Sequence, residues 1–240
     1  MPRLQQFVNG IRERAIAHNG SYVPYSQMYE PTNTLIKSMG ASKDGICLAL
    51  SAKWMVEHAK GGSLWNWLCT PGTTNVKQSA IANLMINFHD SVVSSGSTAN
   101  ASMSDVSGLR GFAHQNVFLD RYMGLSGLKR RAITQDLVTG WQQASAGSVR
   151  VGQQLAARLS PKWMNTQSGT YVHIGTLGKG GHSTCAFVGA SDISFFDPNF
   201  GEFYFGKQSD FRNFFNDFWK MSGYLNSFNT FKLDAFAMAA

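Results

Sequence analysis

Residues 182–197, HSTCAFVGASDISFFD, contain two short apolar stretches on either side of a turn. The stretch from His182 to Val188 and the stretch from Ile193 to Asp197 have the β-branched and aromatic residues that are typical of strands. Between them, Gly189-Ala190-Ser191-Asp192 has the composition of a tight turn. The sequence therefore predicts an antiparallel hairpin here.

The turn decides which side chains share a face of this hairpin. If Val188 pairs with Ile193, Thr184 lies opposite Asp197, and directly opposed residues share a face. Residues two apart also share a face, so His182 lies on the same side as Asp197, about 7–8 Å away diagonally. A turn of three residues would separate them, and each residue alone also suits a simple turn. Together they predict a carboxylate that holds the His182 ring.

Further strands flank the hairpin, and helices precede it. The stretches from Gly169 to Leu177 and from Glu202 to Phe205 are strand-like, and a Phe-rich helix begins at Ser209. Earlier segments show helical periodicity; they are a short helix within 1–20, then 47–60, a helix from Ser79, 113–123, 128–144 and 149–159. Helices followed by a sheet indicate an α+β domain.

Two segments are predicted to be irregular. Residues 21–45 contain several Pro and Gly residues, and residues 94–111 are rich in Ser, Gly, Ala and Asn, which predicts a long flexible loop. We expect one domain over 1–240. Its parts would be an N-terminal segment 1–40, a mostly helical half 41–160 and an antiparallel sheet half 161–240.

A cysteine lies at the predicted start of the first long apolar helix. Gly45 interrupts the chain before Cys47, and Asp44 has the residue type of an N-cap. The N–H groups and dipole of a helix N-terminus favour thiolate, the nucleophilic form of cysteine. Buried structural cysteines are also common, so this stretch alone leaves both interpretations open.

Together with His182 and Asp197, Cys47 forms the residue set of a Cys-His-Asp hydrolase. Cys69 follows a Trp-rich segment and is predicted to be a core residue. Cys185 is adjacent to Thr184 and so is predicted to face away from the site. This chemistry requires no metal and no organic cofactor.

Composition limits the classes of protein. At 240 residues, 43% hydrophobic and 15% charged, the chain can bury a substantial core. Three cysteines do not suggest a disulfide framework and favour a reducing compartment. We find no signal peptide and no transmembrane run of apolar residues. The net charge of +7 permits peripheral contact with anionic membranes, but the only basic cluster is 129–131, and nucleic-acid motifs are lacking, which disfavours nucleic-acid binding.

Three stretches of the sequence together resemble a known family. Asp44-Gly45-Ile46-Cys47, the Gly-Gly-His182 strand and the block 195–201, FFDPNFG, resemble the YopT/AvrPphB family, which are bacterial type III effector cysteine proteases with a papain-like fold. The resemblance covers roughly residues 40–220. It implies that Cys47 is the nucleophile, His182 the general base and Asp197 the residue that orients His182.

The resemblance also implies a biological role. Such an effector would be secreted by a bacterium into the host cytoplasm and would cleave host signalling proteins, such as small GTPases or kinases. Several relatives also process their own N-termini. An acyltransferase, a deamidase or a transglutaminase would use the same triad, and a non-catalytic binding module would use the same fold, so these alternatives stay open.

One part of the site is not predicted by the sequence. Papain-like enzymes use an amide side chain shortly before the nucleophile to help bind the oxyanion, but residues 41–44 are Ala, Ser, Lys and Asp. The backbone N–H of Cys47 would supply one donor. The sequence identifies no second donor.

Overall fold

The computed structural model describes residues 2–38, 46–93, 112–131, 142–143, 148–164 and 169–239. Its helices are α1 Pro2–Ala17, α2 Thr32–Ser38, α3 Cys47–Ala59, α4 Leu64–Leu68, α5 Gln78–Val93, α6 Phe112–Gly124, α7 Ser148–Arg158, α8 Pro161–Met164 and α9 Gln208–Met221. Its strands are β1 Gly20–Pro24, β2 Leu128–Arg131, β3 Gln142–Gln143, β4 Thr170–Gly178, β5 Gly181–Val188, β6 Ile193–Asp197, β7 Gly201–Phe205 and β8 Phe228–Met238.

These elements form two compact units. The first, which we call the sheet unit, consists of Met1–Tyr25 and Arg131–Ala237. The second, the helical unit, consists of Ser26–Arg130 and Met238–Ala240. In the part of the chain that the structure describes, no helix is both long and apolar enough to cross a membrane.

In the described part of the sheet unit, six strands pair antiparallel in the order β1-β7-β6-β5-β4-β8, and the short strand β3 also pairs antiparallel with β8. The hairpin between β5 and β6 has the predicted register, since Val188 pairs with Ile193 and Cys185 with Phe196. The Gly189 N–H closes the turn onto the Asp192 carbonyl oxygen at 3.0 Å. The prediction of strands 169–177, 182–188, 193–197 and 202–205 is confirmed within one residue at each end.

The core of the sheet unit is aromatic. Helix α9 places Phe211, Phe214, Phe215 and Phe218 at helical spacing, and all four are buried. The Phe195 ring from β6 lies among them, with its centroid 5.4 Å from that of Phe215 and 5.5 Å from that of Phe218. Burial of one such side chain contributes roughly 1.5–3 kcal/mol, so this cluster fixes β6, and with it Asp197, against α9.

The prediction that residues 21–45 are irregular is wrong at two places, since 21–24 belong to β1 and 32–38 form α2. It is confirmed for 25–31, and 39–45 lie outside the described residues. In β1, Tyr22 pairs with Phe203 of β7. A strand at the edge of a sheet tolerates its terminal Pro24. Gly201 lets β1 lie close, because its φ is +108° and a Cβ there would lie 2.2 Å from the Val23 carbonyl oxygen.

In the helical unit, α3 contacts α4, α5 and α6. Its predicted range, 47–60, is confirmed, and eight of its thirteen residues are buried. The helix ends as Gly61 adopts a φ of +70°, and the Gly62 N–H donates to the Glu57 carbonyl oxygen at 2.9 Å. The prediction of Asp44 as N-cap is wrong, because Ile46 occupies that position; Asp44 itself lies outside the described residues.

The other helix predictions had mixed outcomes. Those over 113–123 and 149–159 are confirmed as α6 and α7, and the helix predicted from Ser79 begins one residue earlier. The prediction over 128–144 is wrong at its start, where β2 lies, and at β3. The rest of that range and the predicted loop 94–111 lie outside the described residues.

Candidate active site

His182 and Asp197 form the centre of the candidate site in the sheet unit. His182 Nε2 lies 3.0 Å from Asp197 Oδ1. Only 8% of His182 and none of Asp197 is exposed to solvent. Because a carboxylate oxygen only accepts hydrogen bonds, Nε2 carries the proton and donates it. The pairing predicted from the register of the hairpin is therefore present.

The surroundings of Asp197 hold its carboxylate in one orientation. Oδ1 also accepts the backbone N–H of Asn199 at 2.8 Å, which belongs to the turn that follows β6. Oδ2 accepts the hydroxyl proton of Tyr224 at 2.9 Å. Both oxygens of this buried carboxylate are thus hydrogen bonded, as a buried charged group requires.

Neighbouring strands hold His182 in place. Thr176, which pairs with His182 across β4 and β5, donates its hydroxyl proton to the His182 carbonyl oxygen at 3.3 Å. The imidazole ring is nearly parallel to the Phe228 ring, with centroids 6.1 Å apart and an interplanar angle of 8°. These contacts restrict both the backbone and the ring of the residue.

Tyr224 is a member of the site that the sequence did not reveal. Its hydroxyl oxygen lies 2.9 Å from His182 Nε2, in addition to its bond with Asp197. The residue follows Gly223, which ends the turn after α9 with a φ of +79°. A Ser-Gly pair after a helical pattern signals a helix end, but it gives no sign that the next side chain reaches a histidine.

Cys47 occupies the N-terminus of α3 in the helical unit. It is the first residue of the helix, half-buried, and its sulfur is a free thiol. The first backbone bond of the helix joins the Leu50 N–H to the Ile46 carbonyl oxygen at 2.9 Å. The predicted position of Cys47 in the first turn is confirmed.

A buried glutamine holds the residue before Cys47. Gln27 Oε1 accepts the Ile46 N–H at 3.0 Å, and Gln27 is 2% exposed. The side chain of the N-cap residue, Ile46, makes no hydrogen bond to the start of α3. An amide side chain therefore does lie beside the backbone of the residue before Cys47, but it comes from earlier in the chain than residues 41–44, which have no Asn or Gln.

The other two cysteines lie in structural settings. Cys185 is fully buried on β5, next in sequence to Thr184 and opposite Phe196, so its side chain is on the face away from His182, as predicted. Cys69 is 6% exposed, and its backbone forms an isolated antiparallel β-bridge with that of Val76. Burial raises the pKa of the Cys69 thiol, and the nearby positive charge of Lys77 only partly offsets this.

A second histidine–carboxylate pair lies in the same sheet. His173 Nδ1 is 3.4 Å from Asp234 Oδ2, and His173 Nε2 is hydrogen bonded to Ser183 Oγ. The sequence near His173 offers no carboxylate, and β8 supplies it. These are the residue types of a serine hydrolase triad, but each of the three is at most 5% exposed. We interpret this group as an internal hydrogen-bond network of the sheet.

Comparison with known proteins identifies the family to which the chain belongs. The model of the Peptidase_C58 family, described as "Yersinia/Haemophilus virulence surface antigen", matches residues 25–235. The chain belongs to this family. The resemblance to YopT and AvrPphB that the sequence suggested is therefore confirmed.

Proteins that are similar to this Peptidase_C58 chain include two from Yersinia. "Cysteine protease yopT1" of Yersinia enterocolitica is 30% identical over 206 residues, which are 80% of this chain and 57% of that protein. "Cysteine protease YopT" of Yersinia pseudotuberculosis is 29% identical over 188 residues, which are 75% of this chain and 52% of that protein. The chain thus spans little more than half the length of these relatives.

The fold of this Peptidase_C58 chain is similar to that of a solved structure. The crystal structure of the Pseudomonas avirulence protein AvrPphB superposes with a TM-score of 0.54, and the match covers 85% of this chain and 99% of AvrPphB at 20% identity. The predicted α+β, papain-like fold is confirmed.

Proposed function

We propose that this chain is a cysteine endopeptidase in which Cys47 is the nucleophile, His182 the general base and Asp197 the residue that orients His182. The observation that carries the proposal is the bond from His182 Nε2 to a fully buried carboxylate. Because that bond keeps a proton on Nε2, proton exchange with a thiol falls to Nδ1. Membership of a family whose named relatives are cysteine proteases supports this assignment.

The proposed reaction proceeds through a thioester. The Cys47 thiolate attacks the carbonyl carbon of a peptide bond, and the carbonyl oxygen gains negative charge. The C–N bond then breaks, and the His182 imidazolium gives its Nδ1 proton to the leaving amine. Water attacks the thioester carbonyl while neutral His182 takes a proton from that water, and the C–S bond breaks. This releases the new carboxyl terminus and restores the Cys47 thiolate and the His182 imidazolium. The backbone N–H of Cys47, at the first position of α3, supplies one oxyanion donor.

We propose host proteins as the substrates, namely signalling proteins such as small GTPases or kinases, reached after secretion from a bacterium into the host cytoplasm. The relatives include proteins of Yersinia and an avirulence protein of Pseudomonas, which supports a host-directed role. The net charge of +7 favours encounter with acidic protein surfaces. Cleavage of the chain's own N-terminal part is a further expectation of the same activity.

The test compares new protein N-termini in host-cell lysate treated with the wild type or with Cys47→Ala. We expect a discrete set of new N-termini with the wild type, at least about a thousandfold less abundant with the variant, because the nucleophile forms the covalent intermediate. The same set with both proteins would contradict the proposal. Acylated or deamidated lysate proteins without new N-termini would favour the related transfer and deamidation reactions.

A further inference from the structure

The Tyr224 hydroxyl group uses its whole hydrogen-bonding capacity at the candidate site. A phenol has one proton to donate and lone pairs that accept. The proton goes to Asp197 Oδ2 at 2.9 Å, since that oxygen only accepts. The hydroxyl oxygen accepts from Asn199 Nδ2 at 3.2 Å and lies 2.9 Å from His182 Nε2.

The His182 Nε2–H is therefore shared between two acceptors. Asp197 Oδ1 lies at 3.0 Å and the Tyr224 oxygen at 2.9 Å. Because both acceptors face the same nitrogen, the proton stays on Nε2 whether the ring is neutral or charged. The nitrogen that gains and loses a proton is then Nδ1, which the proposed reaction requires.

Packing holds the Tyr224 hydroxyl where these bonds need it. Tyr224 is 7% exposed, and its ring lies against four other aromatic rings besides that of His182. The centroid distances are 5.0 Å to Phe228, 5.5 Å to Trp219, and 5.9 Å to both Phe200 and Phe218. A ring enclosed on several sides cannot leave its rotamer easily, so the hydroxyl is a fixed part of the site.

We propose that Tyr224 is a positioning residue of the protease. Its hydroxyl group holds the His182–Asp197 pair in the tautomer and orientation in which His182 Nδ1 can exchange a proton with the Cys47 thiol. This inference rests on the proposed function. It assigns to the triad a fourth member that acts on both the base and the carboxylate and does not itself touch the substrate.

The test is the rate at which iodoacetamide alkylates Cys47, followed by mass spectrometry between pH 6 and pH 10. Tyr224→Phe keeps the ring and removes only the hydroxyl. We expect Cys47 of this variant to react roughly tenfold more slowly than that of the wild type at pH 6, where the thiolate depends on a well-placed His182. At pH 10 the two rates should converge, because the thiol then ionises without help.

The matched control is Tyr22→Phe. Its hydroxyl donates to the Phe200 carbonyl oxygen at 2.6 Å in the same sheet unit, so the change removes a comparable bond outside the His182–Asp197 pair. We expect its labelling rate to stay within about twofold of the wild type. In an Asp197→Asn background, Tyr224→Phe should add little further loss, since the hydroxyl acts through that pair.

Each of the remaining outcomes would overturn a specific statement. If Tyr224→Phe labels as fast as the wild type at pH 6 while His182→Ala labels slowly, the role of Tyr224 is refuted and the triad stands. A rate that falls equally at pH 6 and pH 10 means a general structural change and also refutes it. If the wild type reacts no faster than His182→Ala, the proposed function fails, and the role of Tyr224 fails with it.

Discussion

The three thiols of the chain lie in three different settings, which makes their relative reactivity a direct test of the site. Cys47 is half-buried at a helix N-terminus, whereas Cys69 and Cys185 are buried. We expect iodoacetamide at neutral pH to modify Cys47 at least about tenfold faster than either of the others, since alkylation requires an accessible thiolate. Peptide mass spectrometry of partly labelled protein gives the three rates.

The control for this measurement is the protein unfolded in guanidinium chloride, in which all three thiols should react at similar rates. Equal rates in the folded protein would count heavily against Cys47 as the nucleophile. Faster reaction of Cys69 would contradict the raised pKa that its burial implies.

Gln27 is expected to affect both the stability of the protein and the rate of cleavage. Gln27→Ala leaves the Ile46 N–H without its described acceptor, which costs roughly 1–3 kcal/mol for a buried donor. It should lower the unfolding midpoint and also slow cleavage, because Ile46 directly precedes Cys47, the proposed nucleophile. Thermal unfolding and the yield of new N-termini in lysate measure the two effects.

Gln27→Met is the matched variant, since it keeps a side chain of similar length and removes the acceptor oxygen. It should lose most of the stability that Gln27→Ala loses, because neither variant can accept the Ile46 N–H. If the alanine variant unfolds at the wild-type temperature and cleaves at the wild-type rate, Gln27 does not support the start of α3.

Strands β4, β5 and β8 share a buried charged network whose stability should depend on pH. Burial alone would raise the pKa of Asp234, but its bonds and charge interactions with His173 and Lys232 outweigh burial and hold that pKa well below its usual range. A carboxyl group with a lowered pKa in the folded state stabilises the fold above the pKa that it has when unfolded, about 4. This stabilisation is lost as the pH falls below that value.

We therefore expect Asp234→Asn to reduce the free energy of unfolding by roughly 2–4 kcal/mol at pH 7, and by progressively less below pH 4. Denaturant unfolding at a series of pH values measures this difference. Asp217→Asn is the control, because Asp217 pairs with Arg14 and His18 in a partly exposed setting and should matter little. A loss that is independent of pH would show that the Asp234 charge is not the source.

The hairpin of β5 and β6 shows which elements can be predicted from sequence. Its register depends on a short turn and on alternation within a few residues, so local rules suffice to bring His182 and Asp197 together. Strand β1 could not be predicted in this way. It pairs with β7, which lies far away in sequence at 201–205. Its five residues have no strong alternation of apolar and polar side chains. Context of this kind overrides local propensity.

The same distinction explains the two residues that were missed at the site. Tyr224 reaches His182 because the end of α9 and an aromatic cluster place it there, and Gln27 reaches Ile46 across a stretch of chain that includes α2. Hydrogen bonds between residues distant in sequence leave no periodic signal. The residues that could be assigned, Cys47, His182 and Asp197, all lie in motifs with a local context.

At the level of the molecule, the sheet unit is assembled from both ends of the chain. Met1–Tyr25 belongs to it, although the helical unit intervenes before Arg131. On a ribosome that adds about 5–20 residues per second, β1 emerges on the order of ten seconds or more before β7 exists. The N-terminal segment must therefore wait as an unpaired chain while the helical unit is synthesised. Cys47, the proposed nucleophile, is therefore made well before His182, the proposed base, so the nascent chain should have no protease activity until His182 and its neighbouring strands have also been made.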